Sequence, residues 1–149
     1  MLFLVFELDG DRYALDTRQL IEVLPLVNLK RLSKAPPGIA GMFDYHGQPV
    51  PAVDLSEVIL GRAARRRMNT RIVIVNYPGA DDTPRPLGLI AERATATARL
   101  DAAQFNETGV SHGDTPYLGP VARDARGLIQ WLTVPQLLPP AVRNVLFKH

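Results

Sequence analysis

The sequence predicts a mostly β protein assembled from many short strands. Thirteen prolines and eleven glycines among 149 residues cut the chain into brief segments, which disfavours a helical bundle. Short apolar runs recur between them, such as Phe3-Leu-Val-Phe6 and Ile72-Val-Ile-Val75. Tight-reversal pairs, Asp9-Gly10 and His46-Gly47, punctuate those runs, because glycine reaches positive φ at no steric cost. With 46% hydrophobic and 21% charged residues the chain has the balance of an ordered globular protein. Its length fits one domain, or two small lobes sharing a core.

In order, Leu2 to Leu8 is almost wholly apolar, as a strand covered on both faces would be. Asp9-Gly-Asp11 turns the chain, and Arg12 to Leu15 returns. Asp16 or Thr17 can cap a short helix with Leu20, Ile21 and Leu24 on one face, Glu22 on the other, and Pro25 as its end. Leu26 to Leu32 reads as a mixed strand. Ile39 to Tyr45 is a strand entered from Pro36-Pro-Gly38, and Val50 to Val53 is its partner across His46-Gly47. Pro49 and Pro51 lack a backbone donor, so this second strand is expected at an edge or beside a bulge.

Asp54 is an N-cap with Glu57 at capping-box spacing, opening a helix over Leu55 to Leu60 that Gly61 stops. Residues 61–69 read as the connector between lobes, with the junction near 61–70 of a single domain spanning 1–149. Arg71 to Tyr77 is the clearest buried strand. Pro78 to Pro86 reads as an exposed loop with Asp81-Asp82 at its tip, and Leu87 to Ala91 returns. Arg93 to Leu100 alternates like a half-exposed strand. Asp101 caps a turn through Gln104, and Asn106 to Pro116 shows no period.

Tyr117 to Ala122 and Leu128 to Leu132 form a hairpin through Asp124-Ala-Arg-Gly127, with Trp131 a core residue or else an exposed anchor. Thr133 and Gln136 make a second capping box for Val134 to Leu138. Ala141 to Lys148 follows as a helix whose Val142, Val145 and Leu146 dock on the body or on another protein.

Several function classes lose ground on residue types alone. Zero cysteines exclude disulfides, thiolate metal sites and cysteine nucleophiles. No apolar run approaches the roughly 20 residues of a membrane-spanning helix, and the start of the chain lacks a basic leader pattern, so a cytoplasmic protein is expected. A net charge of +2 is too small to make nucleic acid the presumptive partner.

The local exception is the run Arg62, Arg65, Arg66, Arg67 and Arg71. It is a solvated loop, a contact for an acidic partner, or the patch of a small nucleic-acid-binding barrel, although no aromatic side chain interleaves with it to stack on bases. Gly109-Val-Ser-His-Gly113 matches the nucleophile elbow G-x-S-x-G by letter. That elbow needs a strand before it and a helix after it, and Asn106-Glu-Thr and Asp114-Thr-Pro supply neither around Ser111. His46, His112 and His149 share no metal-ligand spacing. No phosphate-cradling loop or dinucleotide fingerprint occurs. Neither a cofactor nor a metal nor catalytic activity is expected.

One stretch carries a resemblance. Gly41, four residues, a basic residue and Gly47, followed by x-x-x-Pro51-x-x-Asp54-Leu55, resembles the central motif of the CheW-like coupling proteins of bacterial chemosensory arrays. Phe3-Leu-Val-Phe-Glu-Leu8, Tyr13-Ala-Leu15, Ile21-Glu-Val23, Arg71-Ile-Val-Ile-Val75, Leu87-Gly-Leu-Ile-Ala-Glu92 and Gly127-Leu-Ile-Gln-Trp-Leu132 follow the family's order. The resemblance implies two five-stranded β-barrel lobes around a shared core with a few short helices. It also implies a scaffold without catalytic activity, holding the regulatory domain of a histidine kinase to the cytoplasmic tip of a methyl-accepting receptor. By motif position it places Glu22, His46, Gly47, Pro51, Asp54 and Glu92 at or beneath the partner surfaces.

Glu22 also reads as a solvated charge, and Gly47, Pro51 and Asp54 are explained by a turn, an edge and a cap. Two departures stand out: His46 replaces the family's Arg, and Ala91-Glu92 replaces its Val-Asp. Imidazole lacks the permanent charge and paired donors of a guanidinium, which fits a divergent array governing surface behaviour or second-messenger synthesis.

Overall fold

The structure is a computed structural model and describes residues 1–79, 83–107, 113 and 115–147. Among the described residues ten strands and two short α-helices follow one another: β1 (Leu2–Leu8), β2 (Asp11–Asp16), β3 (Leu20–Pro25), β4 (Ile39–Tyr45), β5 (Gln48–Asp54), α1 (Leu55–Leu60), β6 (Arg71–Pro78), β7 (Pro84–Ala91), β8 (Ala96–Arg99), β9 (Leu118–Asp124), β10 (Gly127–Leu132) and α2 (Pro140–Leu146). They form two five-stranded sheets, ordered β8-β1-β2-β10-β9 and β3-β6-β7-β5-β4. The two have the same topology. In each, one parallel pairing, β2 with β10 or β7 with β5, is flanked by antiparallel ones.

Period-2 side-chain alternation explains the continuous apolar runs. Along β1, Leu4, Phe6 and Leu8 face a core shared by the two sheets, while Phe3 and Val5 face a separate cluster on the sheet's other side. In β6, Val73, Val75 and Tyr77 enter the shared core and Ile72 and Ile74 enter a third cluster. Over Phe3–Phe6 of β1 and Ile72–Val75 of β6 both faces are thus apolar and buried. Half-buried Trp131 belongs to the first sheet's own cluster, its ring 5.0 Å from those of Phe3 and Phe105. Val142 and Leu146 of α2 dock on the shared core, whereas Val145 remains 63% exposed.

Among the described residues no ladder joins β3 to β4 or β8 to β9, so each sheet curls without closing into a full barrel. The seams are crossed by single bridges from the segments after β3 and β8: Lys30 pairs with Met42 and Asn106 with Val121. Gly41 permits the first of these, since a Cβ there would lie 2.5 Å from the Lys30 carbonyl oxygen. Leu26 to Leu32 is accordingly no strand beyond that bridge.

Three other expectations need correction. Leu20 to Pro25 is a strand, not a helix. The Asp16 cap is used on a single 3-10 turn, Thr17–Gln19, where its carboxylate accepts from the Arg18 backbone N–H at 3.0 Å. The β-branched Ile21 and Val23 then extend along the open edge of β6. Second, β5 is not at an edge but internal, between β7 and β4, although the other expectation, a bulge, is met where the β4–β5 register shifts between Ile39 and Gly41 beside the Met42–Pro51 pair. Its prolines are tolerated because Pro49 and Pro51 lie opposite Asp44 and Met42 with their nitrogens turned away from β4, and β7 begins pairing only at Ala52.

Third, residues 61–70 do not pass between sheets. They join α1 to β6, which follow and flank β5 and β7 of one sheet, and the crossings come after β2 and after β7. β7 also begins earlier than expected, at Pro84. Asp81, Asp82, Ser111, His112, Lys148 and His149 lie outside the described residues.

Candidate partner-binding surface

Tyr45 and Gln48 pair, leaving His46 and Gly47 as a two-residue turn with φ of 50° and 84°. Positive φ at both central positions is the type I′ arrangement, whose twist matches the strands it joins. The Asp44 carboxylate accepts the Gly47 N–H at 2.8 Å and fixes the turn. Across the seam from this tip lies Glu22 of β3. The Tyr45 hydroxyl donates to its Oε1 at 2.7 Å, and that bond, with desolvation and the Glu22 charge adding, pushes the phenol's pKa up. The His46 and Tyr45 rings lie 4.4 Å apart, and His46 Nε2 is 3.9 Å from the same Glu22 oxygen. The side chains of His46 and Glu22 are 77% and 44% exposed. Ile21 and Val23, which flank Glu22 in β3, are also open to water.

Glu22, His46 and Gly47 therefore come together at one exposed tip, and the sequence reading missed Tyr45 there. Nothing local reveals it, since its role depends on β3 and β4 approaching across an unpaired seam. The signal that was available is an aromatic residue directly before an I′ turn.

Pro51, Asp54 and Glu92 are buried, which leaves them beneath the surface, supporting it instead of lining it. Asp54 caps α1, accepting the Ser56 and Glu57 N–H groups on one oxygen and the Ala64 N–H on the other. Burial outweighs those bonds and pushes its pKa up. The Glu57 side chain accepts from Gly38 N–H, so the capping box is only half made. Burial would also raise Glu92, but Arg62, the Ser56 hydroxyl at 2.6 Å and the Arg65 N–H hold its pKa down.

Arg62 bridges Glu92 at 2.9 Å and Asp9 at 2.7 Å, and Arg65 also reaches Asp9. The basic run is thereby split, two of its members being neutralised by carboxylates, so it forms no single cationic track. Among the described residues no group of three or more His, Asp and Glu is placed to hold a metal ion. Where the sheets meet, an apolar groove of about 680 Å³ runs between Val53, Val58, Tyr117, Leu137 and Leu138. No helix among the described residues is long and apolar enough to cross a membrane.

The arrangement can recognise but has no reactive pair: one carboxylate, one phenol and one imidazole on a rigid tip. A family model for the CheW-like domain matches residues 2–141. The scaffolding protein TtCheW from Thermoanaerobacter tengcongensis is similar in structure, with a TM-score of 0.81 at 22% identity over 93% of this chain and 87% of that one. That likeness shows the fold. Among curated proteins none matches the sequence.

Proposed function

The chain belongs to the CheW-like domain family, and on that premise we propose that it is a non-catalytic adaptor, coupling the cytoplasmic tips of methyl-accepting chemoreceptors to the regulatory domain of a sensor histidine kinase. Residues 1–149 act as one unit in this role, in the cytoplasm at the receptor array. The observation that carries the reading is the division of labour among the polar groups. Asp54 and Glu92 are buried and committed to holding backbone, whereas Glu22, Tyr45 and His46 are pinned in one geometry and left open to water. A preformed polar tip beside exposed Ile21 and Val23 presents an ordered surface at little entropic cost on binding. With His46 in place of the guanidinium, the tip suits a divergent array whose output is surface behaviour or second-messenger synthesis.

The test is direct binding of the purified chain to the kinase regulatory domain and to the receptor cytoplasmic fragment encoded in the same genome, separately and together. Binding to each, and one complex containing all three, is the expected outcome. Failure to bind either partner overturns the reading.

A further inference from the structure

The segment between α1 and β6 is held unusually well for a surface loop. Ala64 N–H is bound by buried Asp54 and Arg65 N–H by buried Glu92. The Thr70 hydroxyl donates to the Arg65 carbonyl and accepts from Arg67 N–H. The Arg71 guanidinium donates to the Met68 carbonyl, fixing the turn from the other side. Yet the tip of this braced loop shows water an apolar side chain: Met68 is 95% exposed. Arg66 and Arg67 beside it are exposed and have no carboxylate at ion-pair distance among the described residues, unlike Arg62 and Arg65, which are ion-paired with Asp9.

We infer that Arg66-Arg67-Met68 is a second docking surface, taking an acidic protein segment that offers Met68 an apolar pocket rimmed by carboxylates. Charge complementarity selects an acidic partner, and a flexible, polarizable thioether is suited to filling an irregular pocket. A protein can build affinity on one well-seated anchor. Anionic lipid needs more than one lone apolar side chain and a few arginines for stable attachment. Nucleic acid would lack an aromatic platform anywhere in residues 61–71.

The surface rests on, and extends, the adaptor reading, because it lies at the other end of the second sheet. β5 runs seven residues from Gln48 at the His46 tip to Asp54 beside this loop, so about 20 Å of strand lies between the two surfaces. A coupling protein needs two such surfaces that do not compete.

The experiment titrates the full isotope-labelled chain at about 0.15 M salt with a synthetic amphipathic Glu/Leu helical peptide, and in parallel with phosphatidylserine vesicles and with oligouridine RNA. Amide shifts confined to residues 65–70 are expected. Met68→Ser should weaken the peptide about fivefold, and the Arg66→Glu, Arg67→Glu double variant about tenfold, both with unchanged melting curves. Neither vesicles nor RNA should retain the chain as tightly. Stronger retention by vesicles or RNA overturns the assigned partner class, and peptide binding indifferent to Met68→Ser overturns the anchor. The peptide arm does not involve kinase or receptor, so loss of the adaptor reading and loss of this surface give different results.

Discussion

His46 adopts a φ of 50°, a conformation that β-carbon sterics make costly for every residue but glycine, by about 1–2 kcal/mol. Its presence there separates folding from recognition. His46→Gly relieves the strain but loosens the unfolded chain, so thermal or denaturant melts should show stability unchanged or raised by about 0.5 kcal/mol, while affinity for the receptor or kinase fragment falls. His46→Arg keeps the backbone as it is and places a permanent charge near Glu22. It should tighten partner binding by about 1 kcal/mol, roughly fivefold in Kd by calorimetry. Equal affinity for all three proteins would remove the side chain from the interface. The His46-Gly47 turn and the Asp54 cap were legible in the sequence and Glu22 came from the family resemblance, whereas the burial of Glu92 was not legible, because burial is decided by residues far away in the chain.

The β9–β10 hairpin is stapled to β2 by a two-pronged ion pair. Arg12 donates to both oxygens of Asp124, at 2.7 and 2.8 Å, across 112 positions of sequence. That guanidinium holds the Asp124 pKa down at about 2, from an ordinary 3.8. A depressed carboxylate pKa means that the stabilisation is complete above about pH 4 and lost as pH falls toward 2. With Asp124 partly solvated, its worth is about 1–2 kcal/mol. In urea melts the wild type should exceed Asp124→Asn by a constant margin at pH 5 to 8, and most of the margin should be gone by about pH 2, with the rest lost below it. A margin undiminished there would place the stabilisation elsewhere.

Strands such as β1 and β6 were legible because both faces are apolar. The helix expected at Leu20 to Pro25 was not, since an i, i+1, i+4 apolar set fits a helix face as well as an edge strand, and only the vacant side of β6 decides between them.

For the whole molecule, the matching topologies show a chain that runs twice through one plan, two strands and then three. Each three-strand unit completes the other half's pair: β3, β4 and β5 join β6 and β7, and β8, β9 and β10 join β1 and β2. Residues 61–70 are the boundary between those two passes. This is why they read as a connector in the sequence although they separate no sheets. Alternation reveals strands, but it does not say which strand pairs with which.

Arg62 ties the halves by touching Asp9 of the first sheet's hairpin and Glu92 at the end of the second. Arg62→Ala leaves Glu92, with a side chain only 7% exposed, without its cation. It should lower Tm by about 5 °C, and adding Glu92→Gln should recover part of that loss. An additive double variant would show that the two side chains are not coupled.

The exchanged halves also set an order of events on the ribosome. Residues 20–91 contain every strand of the second sheet and can close while later sequence is still being translated. The opening hairpin must wait for Ala96–Arg99 to emerge beside β1 and for Gly127–Leu132 to emerge beside β2 before its neighbours exist. In that interval β1 and β2 present two greasy faces and bare edges to any nascent chain nearby, the hour of greatest exposure to a chaperone or to a mispaired copy.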